Sequence, residues 1–145
     1  MFTHLLLPTD GTPLSEAAVR RGLALAREQQ ARVTAIHVVP EFHVLSYRTE
    51  RIGDTRDEFL AHCRATSQKY LAAVESAARE EGVPCSTVAV TSDHPYEAII
   101  RTAESAGCDL IVMASHGRRG LQGLVLGSET QKVLTHSKVP VLVLR

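Results

Sequence analysis

Charge of one sign is the first thing this sequence lacks. Sixteen lysines and arginines balance sixteen aspartates and glutamates across 145 residues. No global field therefore draws the chain to nucleic acid or to a membrane surface, and any recognition of an anion has to be local. Apolar runs are short, none near the ~18 residues that a spanning helix needs. The stretch from Met1 to Pro8 has neither a basic n-region nor a small-residue cleavage site, so no signal peptide is expected. Cysteine is scarce and odd in number. Cys63, Cys85 and Cys108 show no metal-type spacing, which argues against a disulfide framework and predicts reduced thiols in the cytoplasm. With no repeat, low-complexity tract or break in composition, residues 1–145 are expected to form one domain.

Several catalytic signatures are missing too. No Gly-Lys-Ser/Thr occurs, so the chain has no Walker A loop. The first helix opens on Gly11-Thr12-Pro13 instead of a G-x-G-x-x-G dinucleotide fingerprint. Neither Ser115 nor Ser128 sits in a G-x-S-x-G elbow, and Cys108 opens a buried strand. His37 ends a strand, and His43, His62, His94 and His136 form no metal spacing, so zinc is not expected. No catalytic residue can be assigned from these patterns.

What is present alternates. Strand-like runs at 2–7, 32–39, 85–91, 109–113 and 139–144 are separated by helical patterns. Thr12 then Pro13 predicts an N-cap followed by proline at the first helical position. Leu14, Ala17, Ala18, Gly22, Leu25 and Ala26 are expected on the buried side of that helix. A second helix spans 55–81, with Phe59, Cys63, Thr66, Tyr70, Ala73, Val74 and Ala77 at helical spacing and Gly82 and Pro84 as stop signals. His94-Pro95 opens a third, with Glu97 placed for a capping box. Ser128 is expected to cap a fourth, with Gln131 three residues on. Residues 40–53 have no period and read as a loop. Strands joined by helices of this length predict right-handed crossovers and a parallel sheet. Ligands in such sheets bind beyond the carboxyl ends of the strands, where Pro8-Thr9-Asp10, Val38-Val39 and Ala114 to Gly117 all fall.

The most telling segment is Ala114-Ser-His-Gly117-Arg-Arg-Gly-Leu-Gln-Gly-Leu-Val-Leu-Gly127-Ser128. A buried strand empties into a glycine-rich loop that feeds the first turn of a helix. Glycine permits close backbone approach, and a helix N-terminus offers unpaired amides to an anion. The segment reads as a phosphate cradle. A mobile surface loop with an ordinary serine cap is the competing reading.

The chain resembles the universal stress protein family from end to end. That family's nucleotide signature is Gly-x-x-Gly, nine residues, then Gly-Ser or Gly-Thr. Gly117 fills the second glycine and Gly127-Ser128 the end. Leu5-Leu6-Leu7-Pro8-Thr9-Asp10-Gly11, Ile36-His37-Val38, Asp109 to Met113 and Val139-Pro-Val-Leu-Val also look like it. The resemblance implies a Rossmann-like, three-layer α/β/α fold: a five-stranded parallel sheet in the order 3-2-1-4-5 with about four helices. It also implies a homodimer formed through the strand Val139–Leu144, and binding of ATP or a related adenine nucleotide, with or without Mg²⁺. Asp10 would meet the adenosine, with Pro8 and Thr9 as its wall. Val38 and Met113 would contact adenine. Ala114, His116 and Gly117 would approach the ribose and phosphates, Arg118 would pair with a phosphate, and Gly127, Ser128 and Glu129 would line the phosphate end.

Two departures stand out. Ala114 replaces the signature's first glycine, and its methyl group narrows the space. Glu129 puts a carboxylate where it would repel a triphosphate unless it points away or shares Mg²⁺. The implied function is a cytoplasmic, ATP-binding stress-response regulator that acts on a further protein, with slow ATP hydrolysis at most. The alternative is a nucleotide-free interaction module of the same fold with a decayed site.

Overall fold

A computed structural model describes residues 1–43, 52–117 and 126–145. Nine elements follow one another: β1 (His4–Pro8), α1 (Pro13–Gln29), β2 (Arg32–Val39), α2 (Ile52–Glu81), β3 (Cys85–Thr91), α3 (Pro95–Ala106), β4 (Leu110–Ala114), α4 (Ser128–His136) and β5 (Val141–Leu144). All strand pairs are parallel, and the sheet order is β3-β2-β1-β4-β5. The chain therefore reverses its direction of winding between β1 and β4, the crevice position that open parallel sheets use for ligands.

The sheet is buried on both faces because successive side chains point to opposite sides. Leu5, Leu7, Val33, Ala35, Leu110, Val112 and Ala114 pack under α1 and α2, against Val19, Leu23, Leu71 and Val74. Leu6, Ile36, Ile111 and Met113 pack on the other face against Ile99, Ala103 and Val133 of α3 and α4. This is the expected three-layer arrangement.

Local details differ from expectation at element ends and faces. In α1 the buried stripe is Ser15, Ala18, Val19, Gly22, Leu23 and Ala26. Val19 and Leu23 thus replace Ala17, which is exposed, because the sheet-facing row starts at Ser15 and follows helical spacing from there. The Thr12 cap is as expected: its hydroxyl accepts from the Ser15 amide. The capping box at α3 is not formed, since His94 makes no side-chain cap bond. The Tyr96 amide is instead served by Glu129 at 2.9 Å, and Glu97 takes the Tyr96 hydroxyl. In α4 the N-cap is Gly127, one residue before Ser128. Gln131 sends its side-chain amide to the Leu126 carbonyl. Helix α2 begins at Ile52, inside the stretch read as a loop, and residues 44–51 of that stretch lie outside the described residues.

Candidate functional site

Three strand ends meet at the carboxyl edge of the sheet. β1 runs out at Pro8, registered against Ile36 of β2. The next residue, Thr9, stays buried and gives its amide to the Ile36 carbonyl at 2.9 Å. The chain then turns sharply into α1. Asp10 fixes that turn: its Oδ1 accepts from the Thr12 amide at 3.0 Å and from the Thr12 hydroxyl at 2.6 Å. Ser15, buried in the first turn of α1, accepts from the Asp10 amide and donates to the Thr9 hydroxyl. Gly11, at φ +76°, has the Tyr70 ring of α2 so close that a Cβ would stand 2.3 Å from it. The left-handed backbone and this contact both require glycine. Ser15 carries no local motif, and in the sequence Tyr70 reads only as one position of a helical stripe, so sequence reasoning gives neither a place at this site.

The end of β4 supplies the second wall. A Cβ on Gly117 would lie 2.9 Å from Asp10 Oδ2, so the β1 and β4 loops touch at the crevice. A Cβ on Gly127 would lie 3.2 Å from the Ser115 carbonyl oxygen and 3.3 Å from His116 Cα. Main chain thus packs on main chain where the loop returns to α4, and only glycine fits without displacement. The Gly127 amide is committed, donating to the Ser115 carbonyl at 2.8 Å. It is therefore not among the amides that can face an anion, contrary to its expected role. The first intrahelical bond of α4 runs from the Gln131 amide to the Gly127 carbonyl. That leaves the amides of Ser128, Glu129 and Thr130 as the first-turn donors. Thr130 fastens the helix start to the strand end through its hydroxyl on the Ala114 carbonyl, 3.1 Å.

The side chains of the two residues that departed from the expected signature point away from the start of α4. Ala114 belongs to the core under α1 and α2, in one cluster with Val112 and Leu144. Glu129 turns its carboxylate to the N-terminus of α3, on the Tyr96 amide, with Lys132 at 3.5 Å from its other oxygen. Met113 is buried in the opposite core, and Val38, half-buried, packs against the same cluster. Ser128 is exposed. His116 is half-buried and hydrogen-bonded through Nδ1 to Ser115 Oγ at 2.9 Å. Arg118 lies outside the described residues.

Ser115 is 2% exposed, too buried to meet a substrate. All three thiols are held protonated. Burial raises Cys63 and Cys85, and it pushes Cys108, beside the Asp109 carboxylate, to about 11. A cavity of about 630 Å³ lies elsewhere, between α2 and the β2–β3 edge, lined by Val39, Phe59, Cys63, Leu71 and Ala89 among others. None of Asp10, Gly117 and Gly127 lines it.

A sheet in the order 3-2-1-4-5 with a glycine-framed crevice at its winding reversal has known counterparts. The model of the universal stress protein family matches residues 1–145. The chain belongs to the universal stress protein family. One relative is the universal stress protein YxiE of Bacillus subtilis, 34% identical over 149 residues, with all of both chains covered. The solved structure of MJ0577, a universal stress protein of Methanocaldococcus jannaschii, superposes with a TM-score of 0.84 at 27% identity, covering 99% of this chain and 96% of that one. A universal stress protein from Archaeoglobus fulgidus, solved in complex with dAMP, shares the fold at a TM-score of 0.69 and 16% identity, covering 100% of this chain and 98% of that one.

Proposed function

We propose that this universal stress protein is an adenine-nucleotide-binding regulator that takes ATP, with Mg²⁺, at the carboxyl edge of β1, β2 and β4. The observation that carries the reading is the glycine frame, in which Gly117 abuts Asp10 and Gly127 abuts the Ser115–His116 backbone. These contacts hold the α4 N-terminus against the crevice, where the amides of Ser128, Glu129 and Thr130 add their partial positive charge. Asp10 is positioned for the ribose or base, next to Pro8 and Thr9, and Val38 and Met113 floor the adenine side. Arg118 is the candidate cationic partner of the phosphates, and His116 is placed beside them. A family structure that holds dAMP supports an adenine nucleotide as the ligand class. Bound Mg²⁺ would neutralise phosphate charge, and among the described residues no side chain is arranged as a hydrolytic nucleophile or base. The protein would report nucleotide state to a partner protein, in the cytoplasm.

The homodimer belongs to the same proposal. β5 is an edge strand whose Leu142 is 39% exposed, and Leu134 of α4 is 43% exposed. An apolar edge of this kind is relieved by pairing with a second copy. Native mass spectrometry of the purified protein with ATP–Mg²⁺ tests both parts. A nucleotide-bound dimer is expected, and an empty protein that ignores added ATP, ADP and AMP would return the site to the nucleotide-free alternative.

A further inference from the structure

A group of side chains outside the crevice carries separate chemistry. Glu41 and His43 follow β2, and Asp93 lies in the turn between β3 and α3. One ligand atom from each of the three lies within 4.8 Å of the others, and all three side chains are exposed. Asp93 joins the two segments: Oδ1 accepts from the Glu41 amide at 3.0 Å, and Oδ2 is hydrogen-bonded to His43 Nε2. Between the two outer ligands, Phe42 packs its ring on Phe59 of α2 with centroids 5.4 Å apart, which seats the 41–43 segment.

We propose that Glu41, His43 and Asp93 form a binding site for a borderline divalent transition-metal cation of the Zn²⁺ type. The donor set is one imidazole nitrogen and two carboxylate oxygens, a combination that suits such ions better than the all-oxygen sets of Mg²⁺ or Ca²⁺. Two carboxylates also balance a double positive charge, and three protein ligands leave a coordination position open. To bind the cation, His43 would carry its proton on Nδ1 and leave Nε2 free, and Nε2 and Asp93 Oδ2 would move apart until each lies about 2.0–2.2 Å from the metal. The cation would staple the segment after β2 to the turn after β3. The two halves of the site are about fifty residues apart in sequence, so local histidine spacing does not reveal it.

The test uses the full chain without a polyhistidine tag, stripped of metal, titrated with ZnCl₂ by calorimetry and with CoCl₂ by visible absorption. One Zn²⁺ per chain is expected, with little heat from MgCl₂ at the same concentration. His43→Ala and Asp93→Asn should each weaken Zn²⁺ binding by at least about tenfold, the scale of losing a supporting metal contact. His136→Ala, which removes an exposed imidazole outside the group, should leave it unchanged. Because all three ligands are exposed, the variants should fold, and circular dichroism checks this. Zn²⁺ affinity in His43→Ala and Asp93→Asn equal to the parent's, or a parent without a Zn²⁺ site, overturns the proposal. Neither result depends on nucleotide binding.

Discussion

Gly127→Val tests the cradle most directly. The glycine has no positive φ to protect, since its backbone is extended at φ −60° and ψ 150°. Its constraint is contact. The first added carbon would stand 3.2 Å from the Ser115 oxygen and 3.3 Å from His116 Cα, and both neighbours are main chain that cannot swing aside. Valine adds two further carbons, so the start of α4 must move away from the end of β4 by some tenths of an ångström. The 2.8 Å bond from the Gly127 amide to Ser115 stretches with it. Overpacking of this kind costs about 1–3 kcal/mol, which leaves most of a domain's stability in place. Binding should suffer more. If two first-turn amides lose a charged phosphate, each worth about 1.5–3 kcal/mol, affinity falls by at least ~100-fold. Gly127→Ala should fall between the variant and the parent. Calorimetry with ATP–Mg²⁺ measures the affinities, and thermal melting confirms that the variant folds. A Gly127→Val protein that binds ATP within threefold of the parent would refute the cradle.

Three further outcomes follow from other parts of the structure. Gly11→Ala should destabilise the fold by about 1–3 kcal/mol in urea titration, because φ is +76° and the Tyr70 ring fills the Cβ position; an unchanged midpoint would show that the β1–α1 turn adapts. Leu142→Asp should shift the protein from dimer to monomer in sedimentation equilibrium while the chain stays folded, and an intact dimer would place the interface elsewhere than β5. His4 makes stability fall in mild acid: it is buried, and burial first, then the Arg32 charge, lower its pKa against the opposing pull of Asp109. The unfolded chain takes up its proton near pH 6.5 while the folded one resists, so this contribution is whole above that pH and is lost as pH falls toward the folded value. His4→Gln should flatten the drop in urea midpoint between pH 7.5 and 5.5, and an unchanged drop would assign it to other groups.

Sequence pattern was enough for the architecture. β2 and β3 match their predicted limits, the Thr12–Pro13 start of α1 holds, and the sheet order is the one the resemblance implied. The strand limits and the helix start depend on residues close together in the chain, through alternation, helical spacing and turn chemistry, whereas the sheet order came from the family resemblance. Misjudged details involve partners far apart. The α3 cap comes from Glu129, 33 residues downstream of Tyr96. The residue against Gly11 is Tyr70 of another helix. No local rule pairs such positions, because the sheet's topology brings them together.

The two departures from the family signature show how position in the pleat changes the reading of a residue. In β4 the even positions 110, 112 and 114 face α1 and α2, and the odd positions 111 and 113 face α3 and α4. A methyl group at 114 therefore fills core next to Leu144, while the main-chain contact that glycine must permit lies further on, at 127 against 115 and 116. Glu129 is likewise judged by direction. Two helices begin near it, and its carboxylate is used on the positive end of α3 while its own amide stays at the positive end of α4. One residue thus offers negative charge to one helix start and a donor at the other. An anion at α4 would meet amides, with the carboxylate already engaged by Tyr96 and Lys132.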